Sequence, residues 1–130
     1  VVVCISKKYR RGGMQMLSAE LLSFIVGNLI IKNMVDRLRP CQIDETVSLI
    51  VKIPFDSSFP SGHTLNGITA AVTLMFIDKR MGIPVIVLAV LIAFSRMYNF
   101  MHFPTDILAG AVLGVVSAVF VNFLFKRAGN

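Results

Sequence analysis

The fold is decided by residues 107–125, ILAGAVLGVVSAVFVNFLF, which carry no charged side chain. A helix that spans a bilayer needs about 20 mostly apolar residues, with roughly 17 as the lower limit. Three further runs carry at most one ionisable side chain each: residues 14–31, 57–77 and 81–95. One such run could be a buried core helix of a soluble protein, but four in one short chain favour a membrane bundle.

The composition supports the same conclusion. Of the 130 residues, 55% are hydrophobic and only 15% are charged, against about 25% charged in an average soluble domain. A soluble fold of this length would have too much apolar surface to bury. The length allows one domain, which we assign to residues 1–130.

Glycine and proline positions divide the chain into predicted elements. We expect helices over residues 14–37, 61–77, 82–99 and 105–126, preceded by a partial helix at 1–6 and a basic loop at 7–13. Residues 40–60 form one long loop, in which residues 47–53 could be a short interfacial segment. The predicted fold class is an all-α integral membrane helical bundle, with four complete transmembrane helices plus a partial N-terminal one.

The charges predict a topology. Eight cations fall at one set of helix ends: Lys7, Lys8, Arg10, Arg11, Lys79, Arg80, Lys126 and Arg127. The positive-inside rule places these ends in the cytoplasm and the opposite ends outside. The net charge of +6 is therefore interpreted as a topology signal and not as nucleic-acid binding. At the outer end, Arg37 is predicted to be a solvated helix-end or headgroup contact.

Three short motifs lie at the predicted outer ends of the helices. They are KNMVDRLRP (residues 32–40), PSGH (60–63) and SRMYNFMHFPTD (95–106). Four helix ends of an antiparallel bundle can bring them together. Ionisable groups in membrane segments are energetically costly and usually mark functional sites. The motifs therefore indicate a functional site.

Several of these residues suit an anion with many oxygens, such as a phosphoryl group. Arg39 and Arg96 can bind such oxygens bidentately, and Lys32 adds a mobile charge. Lys32 and Arg39 are seven residues apart, so both are predicted to point from one helix face. Ser61 and Gly62 begin a helix whose first backbone N–H groups can bind an anion.

The remaining motif residues suit ester cleavage. His102 and Asp106 are four residues apart at the start of the last helix, so the carboxylate can accept the imidazole N–H and fix its tautomer. The other ring nitrogen can then act as a nucleophile or base. His63 is available as a general acid for the leaving oxygen.

The three motifs together resemble the type 2 phosphatidic acid phosphatase (lipid phosphate phosphatase) superfamily, in its membrane branch. That superfamily also contains bacterial undecaprenyl pyrophosphate phosphatases and vanadium haloperoxidases. Its pattern is Lys-x6-Arg-Pro, then Pro-Ser-Gly-His, then Ser-Arg-x5-His-x3-Asp, and the chain matches all three in order. The resemblance covers about residues 7–126.

The resemblance implies a role for each site residue. His102 is the nucleophile that forms a phosphohistidine, Asp106 orients it, and His63 protonates the leaving group and later assists water. The phosphoryl oxygens are held by Lys32, Arg39, Ser61, Gly62 and Arg96. No metal and no other cofactor is implied. Membrane members usually have six spanning helices, so we expect the first helix and most of the second to be missing from this chain.

The sequence is thus interpreted as a membrane lipid phosphate phosphatase, whose partners are its lipid substrate and the bilayer. Phosphatidate, phosphatidylglycerophosphate and undecaprenyl pyrophosphate are candidate substrates, the last favoured in a bacterial cell membrane. Two alternatives stay open: a non-catalytic protein that binds lipid phosphate, and a vanadate-dependent oxidase. The oligomeric state is not predicted.

Overall fold

The computed structural model describes residues 10–44 and 55–128, and all regular elements in these ranges are helical. The predicted partial helix at 1–6 and the segment 47–53 lie outside the described residues. The helices are α1 (Arg10–Ser23), a π-helical continuation (Phe24–Ile31), α2 (Lys32–Val35), α3 (Pro40–Ile43), α4 (Gly62–Ile77), α5 (Lys79–Tyr98) and α6 (Pro104–Arg127).

The helix lengths fit a membrane protein. Among the residues that the structure describes, three segments are long and apolar enough to cross a membrane: Arg10–Ile43, Lys79–Tyr98 and Pro104–Arg127. Helix α4 has 16 residues and is about 24 Å long, shorter than a typical hydrocarbon core. Residues 10–44 and 55–128 therefore contain three long apolar segments and one shorter apolar helix where the sequence predicted four complete spans.

Helix α4 is the centre of the bundle, because it packs against α1, α5 and α6. Its side chains Leu65, Thr69 and Ala71 are fully buried. Large apolar side chains on the outer helices are instead exposed. Val87 is 55% exposed and Phe120 is 50% exposed. An apolar exterior around a buried central helix is the arrangement expected in lipid.

Small residues allow α6 to lie directly against α4. A Cβ atom added at Gly110 would lie 2.7 Å from the backbone oxygen of Ser61, and one added at Gly114 would lie 2.8 Å from the backbone oxygen of Leu65. Both distances are shorter than any real Cβ contact, so the two backbones touch through these glycines. Close approach through small residues is a common way for membrane helices to associate.

We expect Gly110→Ala to destabilise the protein by about 1–3 kcal/mol, the usual range for overpacking a tight contact. The new methyl group must push α6 away from the backbone at the start of α4. Thermal unfolding in detergent measures the effect, with Val112→Ala on the exposed side of α6 as the control. Equal melting temperatures for the two variants would contradict this account of the α4–α6 contact.

The helices run antiparallel, and contacts far from the motifs fix their ends. The Arg11 guanidinium donates to the backbone oxygen of Phe125, and Gln15 donates to the Asn122 side chain at 3.1 Å. These bonds join the start of α1 to the end of α6. The opposite end of the bundle therefore gathers the end of the first helical segment, the start of α4, the end of α5 and the start of α6.

Two predicted helix starts, at residues 14 and 82, were wrong, and residues 40–43 of the predicted loop are helical. Gly12 lies inside α1, which already begins at Arg10, and it faces Ile77, where an added Cβ would be 3.0 Å away. The glycine therefore serves helix packing and does not mark a helix start.

The turn between α4 and α5 also lies earlier than predicted. Asp78 alone separates the two helices, and its carboxylate caps α5 by accepting from the Arg80 N–H at 2.9 Å. Pro84 lies inside α5. An added Cβ at Gly82 would meet the backbone nitrogen of Met75 at 2.6 Å, so this glycine again permits a close helix contact.

Candidate active site

A cavity of about 560 Å³ opens at the motif end of the bundle. Six predicted site residues line it: Lys32, Arg39, Gly62, His63, Arg96 and His102. Ser61 and Asp106 are fully buried and are not among the lining residues. The structure thus brings all three motifs together, with two of their residues behind the cavity wall.

Lys32 and Arg39 reach the cavity by a different route from the one predicted. The helix ends at Val35, and Asp36 has the left-handed φ of 41°. Arg39 is extended and precedes the short helix α3. The two cations therefore do not share one helix face, and the change of chain direction at Asp36 is what brings Arg39 back beside Lys32.

Asp56 joins these two cations. One carboxylate oxygen pairs with Lys32 Nζ, and the other lies 2.7 Å from Arg39 Nη2. Although burial raises the pKa of Asp56, hydrogen bonds and charge from Lys32 and Arg39 lower it below the ordinary value. The sequence motifs did not include Asp56, and its position four residues before Pro60 gave no signal of this role.

Arg39 is the most tightly held cation of the cavity. It is 2% exposed, and its Nη1 lies 3.0 Å from the Met101 carbonyl oxygen and 3.3 Å from His102 Nε2. Arg39 is thereby placed within hydrogen-bond distance of one imidazole nitrogen of His102.

The geometry of His102 fixes its tautomer. Its Nδ1 lies 2.8 Å from the backbone carbonyl oxygen of Ser58, and a carbonyl oxygen can only accept, so Nδ1 carries the proton. In the neutral ring Nε2 is then unprotonated and accepts from Arg39 Nη1 at 3.3 Å. Its lone pair can act as a nucleophile or base once a substrate takes over that Arg39 donor.

Asp106 does not orient His102 through the direct hydrogen bond that was predicted. Its Oδ2 is 3.8 Å from His102 Nδ1, beyond hydrogen-bond range. The same oxygen accepts from the Ser58 hydroxyl at 2.5 Å and from the Phe103 N–H at 2.9 Å. Asp106 therefore holds Ser58, and the Ser58 carbonyl in turn holds His102.

The prediction for Arg37 was also wrong. This residue was predicted to be a solvated or headgroup contact, but its Nη1 lies 2.8 Å from Asp106 Oδ1 and 2.8 Å from Thr105 Oγ1. Its guanidinium also stacks 4.1 Å from the centre of the Phe103 ring. Arg37 supplies the counter-charge for a fully buried carboxylate, which sequence spacing alone could not reveal because 69 positions separate the two residues.

The start of α4 brings its backbone to the cavity. Ser61 precedes the helix, and its own N–H donates to the Asp106 carbonyl oxygen at 3.1 Å. An added Cβ at Gly62 would lie 2.9 Å from the Asn28 Oδ1, so only glycine fits between the cavity and the first helical segment. His63, the next residue, is exposed at the cavity.

We expect His102 to titrate near pH 4 in the folded protein. Burial and the neighbouring charge of Arg39 lower the pKa of His102 from 6.5 to about 4, although the Ser58 carbonyl and Asp106 oppose this. Because the chain has two histidines, NMR titration of His63→Gln reports one imidazole. A midpoint near 6.5 would contradict the described surroundings of His102.

The same shift has a consequence for stability. Between pH 6.5 and about 4 the unfolded chain binds a proton at His102 and the folded protein does not. The free energy of unfolding contributed by this group is therefore fully present above pH 6.5 and falls as the pH is lowered toward 4.

The sequence profile of the PAP2 superfamily matches residues 12–129. The chain belongs to this superfamily. The resemblance to type 2 phosphatidic acid phosphatases is thereby confirmed.

Named members of the PAP2 superfamily are similar to this chain. An undecaprenyl-diphosphatase of Sulfolobus acidocaldarius is 35% identical over 114 residues, which are 87% of this chain and 55% of that protein. Phosphatidylglycerophosphatase B of Bacillus subtilis is 33% identical over 68% of this chain and 46% of that protein. The chain therefore spans about half the length of these PAP2 relatives.

A solved PAP2 structure has the same fold. It is the first transmembrane PAP2-type phosphatidylglycerolphosphate phosphatase from Bacillus subtilis, with a TM-score of 0.72 and 28% identity over 88% of this chain and 59% of that one. Together with the apolar helices, this similarity identifies the chain as an integral membrane helical bundle.

Proposed function

We propose that this chain carries the active site of a membrane lipid phosphate phosphatase, which hydrolyses a lipid phosphomonoester or diphosphate through a phosphohistidine and without a metal. The observation that carries the proposal is the position of His102. Its Nδ1 is held by the Ser58 carbonyl at 2.8 Å, and its Nε2 lies 3.3 Å from Arg39 in a cavity lined by further cations. A nucleophile of fixed tautomer beside fixed positive charge is suited to attack on phosphorus.

The reaction has two steps in this proposal. His102 Nε2 attacks phosphorus, the bond to the lipid oxygen breaks, and His63 gives that oxygen a proton. Water then attacks the phosphohistidine, losing a proton to His63, and inorganic phosphate and free His102 result. Asp106 stabilises the positive imidazole from 3.8 Å and holds Ser58 in place.

Four residues that line the cavity would hold the phosphoryl oxygens, Lys32, Arg39, Gly62 and Arg96, and the buried Ser61 would support them. Support comes from buried donors, because Arg39 Nε and Arg96 Nε have no hydrogen-bond partner in the described part of the chain. An unpaired buried donor costs about 1–3 kcal/mol, and a bound anion could remove this cost. Ser61 would contribute through the shape of the helix start, since its N–H already bonds Asp106.

The substrate would keep its tail in the bilayer while its phosphate enters the cavity. Apolar side chains of Phe24, Ile92 and Met101 line the same cavity as the cations, which suits a lipid phosphate. Phosphatidate, phosphatidylglycerophosphate and undecaprenyl pyrophosphate are candidates, and the names of the relatives favour the last two. The cations at the opposite ends of the described helices, Arg10, Arg11, Lys79, Arg80, Lys126 and Arg127, support an outward-facing site, in a bacterial cell membrane for the polyprenyl substrate.

Phosphate release from these three lipids tests the proposal. The full-length protein in detergent, with a chelator present, should release phosphate from at least one lipid at an undiminished rate. Binding of the lipids without any release would favour the non-catalytic alternative, and loss of activity with the chelator would contradict the metal-free mechanism.

A further inference from the structure

Asp56 occupies the two cations that are best placed to bind a phosphoryl group. Its two carboxylate oxygens are divided between Lys32 Nζ and Arg39 Nη2, the latter at 2.7 Å. A phosphoryl group would present two of its oxygens to the same pair of cations. Asp56 also lines the cavity, so an arriving phosphate and this carboxylate compete for one place.

The burial of the three side chains is unequal. Those of Lys32 and Arg39 are 10% and 3% exposed, whereas that of Asp56 is 50% exposed. Arg39 also donates to the Met101 carbonyl oxygen at 3.0 Å, a bond that does not involve Asp56. The cations are therefore the buried members of the group, and Asp56 is the member whose side chain is open to solvent.

Charge decides which ligands can replace Asp56. The lining side chains Lys32, Arg39 and Arg96 carry three positive charges, which Asp56 reduces to a net of two. A terminal phosphate or diphosphate carries more negative charge than one carboxylate and can displace it. A phosphodiester, with a single negative charge, gains no such advantage.

We propose that Asp56 is an internal competitor for the phosphate site, which it occupies before substrate binds and again as inorganic phosphate leaves. This inference rests on the proposed function and extends it. Asp56 weakens the binding of every phosphate, selects terminal phosphates over diesters, and assists product release by returning to Lys32 and Arg39.

Binding of inorganic phosphate to the full-length protein in detergent, measured by calorimetry, tests this role without turnover. Asp56→Asn should lower the dissociation constant about fivefold, which corresponds to about 1 kcal/mol, because the neutral amide no longer pairs its charge with the partly exposed Lys32 and Arg39 site. Asp56→Glu keeps the charge and should stay close to the unmodified protein. Asp78→Asn removes an equal charge at the opposite end of the bundle, where the amide oxygen can still accept from the Arg80 N–H, and should leave the affinity unchanged.

A second neutral variant, Asp56→Ser, guards against an effect of the amide group or a failure of the first variant to fold. Equal or weaker phosphate binding in the folded neutral variants would overturn the proposal and make Asp56 a residue that positions Lys32 and Arg39. If the unmodified protein neither binds phosphate nor hydrolyses lipid phosphate, the proposed function itself fails. If the unmodified protein hydrolyses lipid phosphate but the neutral variants bind inorganic phosphate with unchanged affinity, only the proposed role of Asp56 is wrong.

Discussion

Replacing His102 with asparagine is expected to lower phosphate release by at least about 10³-fold, since the attacking nitrogen is lost. The asparagine amide can still donate to the Ser58 carbonyl that now binds His102 Nδ1. The protein should therefore stay folded, with a melting temperature near that of the unmodified chain. Initial rates with a lipid phosphate in detergent measure the effect.

The matched control is His63→Asn, which changes the other histidine lining the cavity. Its effect on the first step, the attack of His102 on phosphorus, should depend on the leaving group, because His63 is proposed to protonate that oxygen. With an aryl phosphate the rate of this first step should change little. His102→Asn should be inactive with both kinds of substrate. Substantial activity of folded His102→Asn would contradict the assignment of the nucleophile.

Asp106→Asn is expected to lower kcat by roughly 10²-fold or more. The carboxylate is fully buried, holds the Ser58 hydroxyl at 2.5 Å, and lies 3.8 Å from His102 Nδ1. The amide removes the negative charge that stabilises the positive imidazole in the transition state. It also leaves the Arg37 guanidinium without its carboxylate partner.

A double-mutant cycle with Arg37→Gln separates these two effects. Arg37 lies 2.8 Å from Asp106 Oδ1, so losses in stability from the two single variants should be far from additive. The loss in kcat should instead persist in the double variant, because the charge near His102 is still absent. Additive stability losses, or recovery of kcat, would contradict the described geometry.

The convergence of the motifs could be predicted because it depends on helix direction alone. Uncharged runs of near-bilayer length fix the helices, and antiparallel packing places Lys32, His63 and His102 at one end. These residues do line one cavity. No sequence pattern indicated the π-helical stretch Phe24–Ile31, which directly precedes Lys32.

The details of the site depend on backbone geometry that spacing does not encode. A helix continuing through Arg37 was predicted to place Lys32 and Arg39 on one face, but the left-handed turn at Asp36 ends the helix before Arg39. Ser58 separates Asp106 from His102, so the four-residue spacing of the last two indicated proximity but not the bond. These contacts join residues that are 44 and 48 positions apart in the chain. Spacing within one motif therefore does not predict them.

The central claim is that His102 carries the phosphoryl group during turnover. It is tested by mixing His63→Asn with an aryl phosphate, quenching in alkali and locating phosphate on peptides by mass spectrometry. Slow hydrolysis of the intermediate should let it accumulate in this variant, since His63 is proposed to assist the attacking water. The account predicts phosphate on His102 and none in His102→Asn. Turnover without phosphate on His102, or with phosphate on another residue, would contradict it.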